Sequence, residues 1–111
     1  MGVTYEITAT VDEELAKDYA RYMVGEHIPD LLATDCFASA SISESTTGRF
    51  RIRYEASDQE SLDRYLRGHA DRLRAAAIEH FPEGVTLDRE IWRVLKVFGG
   101  SEGLPQMDAD D

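Results

Sequence analysis

The stretch Arg49-Phe50-Arg51-Ile52-Arg53-Tyr54-Glu55-Ala56-Ser57 constrains the fold of this chain more than any other. Phe50, Ile52, Tyr54 and Ala56 alternate with Arg49, Arg51, Arg53 and Glu55, the period of two that sends successive side chains to opposite faces of a strand. An apolar face needs a cover, and a helical pattern and a strand pattern lie on each side of this stretch. It is therefore expected to be a central strand with helices over its apolar face. The other face carries three arginines and a glutamate, and what that face meets bears directly on function.

Val3, Tyr5, Ile7, Ala9 and Val11 alternate with Thr4, Glu6, Thr8 and Thr10, which predicts a first strand. Asp12 then reads as an N-cap with Glu13 and Glu14 in the first turn, where the helix dipole favours acids. Leu15, Tyr19, Tyr22 and Met23 form the apolar stripe of helix one, and Gly25 and Pro29 predict a break near Ile28 before a short helix through Ala33. Cys36 to Ser45 is a weak strand suited to an edge, and Ser45-Thr46-Thr47-Gly48 turns the chain back into the central strand. Ser57 and Glu60 form a capping box for helix two, whose stripe is Leu62, Tyr65, Leu66, His69, Leu73, Ala76, Ala77 and His80. Glu60 with Arg64 and Asp63 with Arg67 are spaced for ion pairs on its outer surface. A last strand is expected from Val85 to Phe98, apolar on both faces in its later half.

Strand, helix, strand, strand, helix, strand is the ferredoxin-like βαββαβ order of an α+β domain. It predicts a four-stranded antiparallel sheet, order 4-1-3-2, with two helices on one face, within one domain over residues 1–98. Right-handed crossovers further predict that strands one and three are parallel neighbours. Residues 99–111 hold Gly, Ser, Pro and acids without a basic residue, the composition of an acidic mobile tail.

Composition narrows the function classes. The net charge of -10 argues against nucleic acid as a partner, because phosphate neutralisation requires a basic stripe. Lys17 and Lys96 are the only lysines, so nearly all positive charge is arginine; a G+C-rich genome or a high-salt cell interior would each produce that bias. No apolar run has the length to span a bilayer, and the first residues lack the pattern of a signal peptide, so no membrane partner and a cytoplasmic location are expected. The single cysteine, Cys36, fits a reducing compartment and excludes an intramolecular disulfide.

Few residues are placed for chemistry. His27 precedes Ile28-Pro29 at the helix break, where freed carbonyls can hold an imidazole; capping the helix end as a cation is the plainer alternative. His69 lies on the stripe of helix two, where a lone histidine is more often a bonded core residue than a catalyst. His80, beside Phe81-Pro82, reads as structural. Neither a metal nor another cofactor is expected, since no two candidate ligands share ligand spacing on one element. Cys36 with His27 lacks a third orienting residue, Ser39, Ser41 and Ser43 lack a nucleophile elbow, and Gly99-Gly100-Ser101-Glu102-Gly103 precedes no helix.

Three segments carry a resemblance: Tyr5-Glu6-Ile7-Thr8-Ala9-Thr10-Val11-Asp12, Glu26-His27-Ile28-Pro29-Asp30-Leu31-Leu32-Ala33-Thr34-Asp35-Cys36-Phe37, and Tyr65-Leu66-Arg67-Gly68-His69-Ala70-Asp71-Arg72-Leu73-Arg74. They resemble a bacterial domain-of-unknown-function family similar in layout to the dimeric α+β barrel group, which includes the antibiotic-biosynthesis monooxygenase type. The resemblance spans roughly residues 3 to 97 and brings no activity with it. Asp35 stands where it implies a glycine, so the turn into strand two is expected to be shaped differently. It also implies a homodimer with sheets packed face to face. Without it, the polar faces of the two central strands favour solvent, whereas the two-faced apolar end of strand four favours a partner. With it, the dimer is expected, and Trp92, Val94 and Phe98 are its interface residues.

The function expected is a small-molecule binding or sensing module for an apolar or aromatic molecule, its pocket between helices and sheet lined by Tyr19, His27, Tyr54 and His69. The alternative is a cofactor-independent monooxygenase or isomerase with His27 or His69 as general base. The third reading is a structural protein whose partner is itself.

Overall fold

The structure, a computed structural model, describes residues 2–99, so the tail expected beyond them lies outside the described residues. Its strands are β1 (Val3–Val11), β2 (Ser39–Glu44), β3 (Arg49–Ala56) and β4 (Val85–Arg93). They form one sheet in the order β2-β3-β1-β4, with every neighbouring pair antiparallel. The fold is ferredoxin-like α+β, as the order of patterns predicts. The parallel alignment of β1 and β3 is corrected. The first crossover carries the chain from β1 to β2, and the β2–β3 hairpin then reverses it, so β3 runs against β1.

Register decides which side chains meet. Tyr5 pairs with Tyr54, Ile7 with Ile52 and Ala9 with Phe50, and all six are buried under the helices. The alternate positions face the other way, with Thr4 beside Glu55, Glu6 beside Arg53 and Thr8 beside Arg51. On that open face the Thr4 hydroxyl donates to Glu55 Oε1 at 2.6 Å, and Arg53 Nε pairs with Glu6 Oε1 at 2.6 Å. The β2–β3 turn depends on Gly48, with φ at 87°. Its carbonyl accepts from the Val11 amide at 2.8 Å, and a Cβ there would stand 2.3 Å from the Val11 carbonyl oxygen.

Each helical crossover is broken in two. The first runs α1 (Ala16–Tyr22), a wide π turn (Met23–His27) and α2 (Ile28–Leu32). Proline lacks an N–H, and in a regular helix the Pro29 ring would press on the carbonyl of Gly25; widening the preceding turn relieves that conflict. Asp12 starts only a short 3₁₀ turn (Glu13–Leu15), and its side chain makes no capping bond. The second crossover is α3 (Gln59–Gly68) and α4 (Ala70–His80), where one continuous helix is expected from the stripe. Gly68 is a weak helix former, and at His69 the backbone leaves helical geometry with φ at -132°. The break rotates α4, so Ala70, 1% exposed, enters the core and His69 turns outward to partial exposure.

Local details also shift. Asp58, not Ser57, caps α3, its Oδ1 accepting from the Ser61 amide at 2.8 Å. This bond draws the Asp58 carboxyl below its ordinary pKa. The two spaced ion pairs do not form: Asp63 accepts from Gln59 at 2.9 Å, and Arg64 donates to the Asp35 carbonyl at 3.3 Å. Asp35 has φ at 62°, the left-handed conformation that a glycine would favour and that Asp tolerates. β2 is shorter than expected and lies at the sheet edge; Cys36 and Phe37 precede it as buried residues. β4 stops at Arg93, after which the Val94 amide donates to the Gly2 carbonyl at 2.9 Å. From there to Phe98 the chain is in no ladder.

Candidate functional site

Between the helical layer and the sheet lies a cavity of about 120 Å³. By the same kind of measure one water needs roughly 10–15 Å³, so this volume holds considerably more than one. Its floor comes from alternate inward positions: Tyr5 and Ile7 of β1, Ile52 and Tyr54 of β3, and Val85, Leu87 and Arg89 of β4. Its roof comes from Tyr19 on α1, Met23 and His27 on the π turn, Tyr65 on α3, and Arg74 and Ala77 on α4. Ile78, 62% exposed, marks the side where the wall meets solvent.

The aromatic residues form one packed set. Tyr5 lies 6.1 Å from Tyr54 and 5.9 Å from Tyr65, and Phe37 backs them at 5.3 Å from Tyr54 and 5.0 Å from Tyr65. Tyr19 packs on Phe50 at 5.3 Å and edge-on to Phe81 at 5.4 Å. Burial pushes the Tyr19 and Tyr65 phenols up to about 12 and that of Tyr54 further still, so all three stay protonated and can donate.

Two guanidinium groups share this wall, and no Asp or Glu of the described residues lines it. That contrasts with a chain of 22 acidic and 12 basic residues. Arg74 Nη2 donates to the Tyr5 hydroxyl at 2.9 Å. Its Nε is buried without a partner, and so is Nδ1 of His27. The His27 imidazole is held below its ordinary value of 6.5, first by burial and then by the charge of Arg89, with Asp30 opposing. It is neutral at pH 7.

Of the four pocket residues expected from sequence, Tyr19, His27 and Tyr54 line this one cavity, and His69 does not. The break at His69 is the cause: it turns the ring outward, where Nδ1 lies 3.0 Å from Arg72 Nη2. His80 packs on Tyr22 with ring centroids 4.2 Å apart, and its Nδ1 lies 3.3 Å from the Ala76 carbonyl. Cys36 Sγ is 3.6 Å from the Thr34 carbonyl, off the cavity wall. Among the described residues no three His, Cys, Asp or Glu side chains gather as a metal-binding group. Sequence reasoning missed Arg74, Arg89 and Tyr65. Arg89 had a usable signal, since it continues the inward series Val85, Leu87.

A ferredoxin-like α+β domain with an aromatic cavity under its helices is thus the class that fold and site define. The chain belongs to the family described as a domain of unknown function (DUF4286), whose model matches residues 2–95. No curated protein matches it. Solved structures share the fold. A dimeric ferredoxin-like protein from an uncultured marine organism aligns with a TM-score of 0.68 and 10% identity, over 90% of this chain and 100% of that one. SnoaB, a cofactor-independent oxygenase from Streptomyces nogalater, aligns at 0.64 and 14% identity, over 95% and 98%. Rv0793 from Mycobacterium tuberculosis aligns at 0.63 and 18% identity, over 89% and 100%.

Proposed function

We propose that the protein is a homodimeric small-molecule binding module, with its ligand between the helices and the sheet. The observation that carries this reading is the presence of two partnerless buried nitrogens, His27 Nδ1 and Arg74 Nε, on residues walling one cavity of about 120 Å³. A buried polar group without a partner costs about 1–3 kcal/mol, and a bound molecule that supplies one recovers that cost. Saturation-transfer NMR with a set of small aromatic fragments tests the reading. Fragments should bind the wild type and lose contact when Ala77→Trp, or the milder Ala77→Leu, fills the cavity of a protein still folded by circular dichroism. Binding that ignores both substitutions, or no binding at all, counts against the reading.

The homodimer rests on the open face of the sheet. Register places Trp92 beside Thr4 there, 51% exposed, and Phe98 beyond the strand is 80% exposed. The half of the face made by β2 and β3 carries Arg49, Arg51 and Arg53 against Glu55 alone; the half made by β1 and β4 carries Glu6, Asp88 and Glu90. A two-fold axis along the strands lays one half over the other, a self-complementary arrangement of charge. Trp92, Val94 and Phe98 are the apolar contacts in this reading.

A second reading, a cofactor-independent oxygenase or isomerase, is favoured by one observation. His27 is neutral, and its Nδ1 has no partner, so it is free to take a proton from a bound acid. SnoaB, with the same fold, is a cofactor-independent oxygenase. An NMR titration that finds the His27 ring still protonated at about pH 8 would remove this reading.

A further inference from the structure

Resting on the binding reading above, we propose that the ligand is a small monoanion: a carboxylate on a compact apolar or aromatic body, its acid group held by Arg74 and Arg89. Both guanidinium groups belong to the wall of the one cavity, Arg74 from α4 and Arg89 from β4. Neither is in an ion pair among the described residues, where the pairs are Arg21 with Asp18 and Arg53 with Glu6. Tyr65 stands in the same wall as both.

The chemistry of the wall selects the class of ligand. The half-buried guanidinium of Arg74 is stabilised most by a carboxylate, which accepts through two oxygens in its plane, and the exposed Arg89 adds a second positive charge to the same wall. Arg74 is already turned by its bond to Tyr5, and its Nε remains unmatched. The protonated phenols of Tyr19 and Tyr54 add neutral donors suited to an acceptor-only group. The remaining wall, with Ile7, Met23, Ile52 and Leu87, is apolar and requires an apolar body. With both guanidiniums given to one carboxylate, a second charge directed into this apolar part of the wall would lack a partner, which disfavours dianions.

Benzoate and its neutral isostere benzamide are suitable probes, as are cyclohexanecarboxylate and its amide, titrated against the full chain by NMR. The acid of each pair should bind at least about tenfold more tightly than the amide, as expected for a charge-assisted bond. Arg89→Gln and Arg74→Lys should each reduce that preference; Arg51→Gln, on the open face, should leave it intact. Arg74→Lys keeps a charge and a donor for Tyr5, which guards against simple unfolding. Amides binding as well as acids would overturn the anion assignment while leaving the binding module standing. A preference lost only with Arg51→Gln would move the anion to the open face and overturn it too. If neither acids nor amides bind, both readings fall.

Discussion

Tyr54→Ala is the perturbation that best probes how the central strand is faced. Tyr54 is 1% exposed, pairs with Tyr5 across the sheet, and packs within 5.3 Å of Phe37. Truncating a buried aromatic side chain to Ala costs about 3–5 kcal/mol through lost transfer energy and the void left behind. Each aromatic neighbour lost adds about 0.5–1.5 kcal/mol. The phenol end already borders the cavity, so part of the void exists beforehand, and the lower half of the combined range is expected. A loss of about 4 kcal/mol is a large share of the 5–15 kcal/mol that holds an ordinary domain together. Arg49→Ala, at the start of the same strand on its exposed face, should change stability by no more than about 0.5 kcal/mol. Urea unfolding followed by circular dichroism measures both, with the slope checked for constancy so that the midpoints compare like with like. Comparable losses for the two variants would refute the assignment of faces, and with it the position of the cavity.

Three further outcomes follow from the same geometry. Gly48→Ala should destabilise by more than about 1 kcal/mol, because φ is 87° and the added Cβ meets the Val11 carbonyl oxygen; a neutral change in urea midpoint would contradict that. His27 has its folded pKa below 6.5, so the unfolded chain binds the proton more readily; its contribution is complete above 6.5 and is lost as pH falls toward the folded value. His27→Gln should flatten the stability profile in that window, and an unchanged profile would show that His27 is not buried neutral. Joint replacement of Trp92 and Val94 by Asp should yield a monomer or an aggregate, since it places charge in the proposed interface. Sedimentation velocity showing a wild-type monomer at hundreds of micromolar would defeat the dimer.

The period of two made β1 and β3 legible, because a sheet with one covered face must turn Tyr5, Ile7, Ile52 and Tyr54 to the same side. The order of elements carried the strand order as well, but not the direction of β3 against β1, which the β2–β3 hairpin reverses. What the pattern hid were changes of helical phase. A continuous stripe through Leu62, Tyr65, His69 and Leu73 looks unbroken on a helical wheel, yet the break after Gly68 puts Ala70 where His69 was expected. The same rotation took His69 out of the pocket and left Arg74, to which the sequence assigned no role, on the cavity wall. Tyr19, Tyr54 and His27 were recoverable because each lies on an element whose phase the sequence states plainly. The end of β4 differs for another reason: strand propensity continues through Val97 and Phe98, but the pairing with β1 ends with Val3 opposite Arg93.

Methyl-resolved NMR of the wild type with benzoate or benzamide added tests the central claim most directly. If the cavity is the binding site, shifts concentrate on Ile7, Met23, Ile52 and Leu87, whose side chains line it, and leave Val94 at the far face unmoved. Shifts confined to Val94 and its neighbours on the open face, or none anywhere at saturating probe, would contradict it.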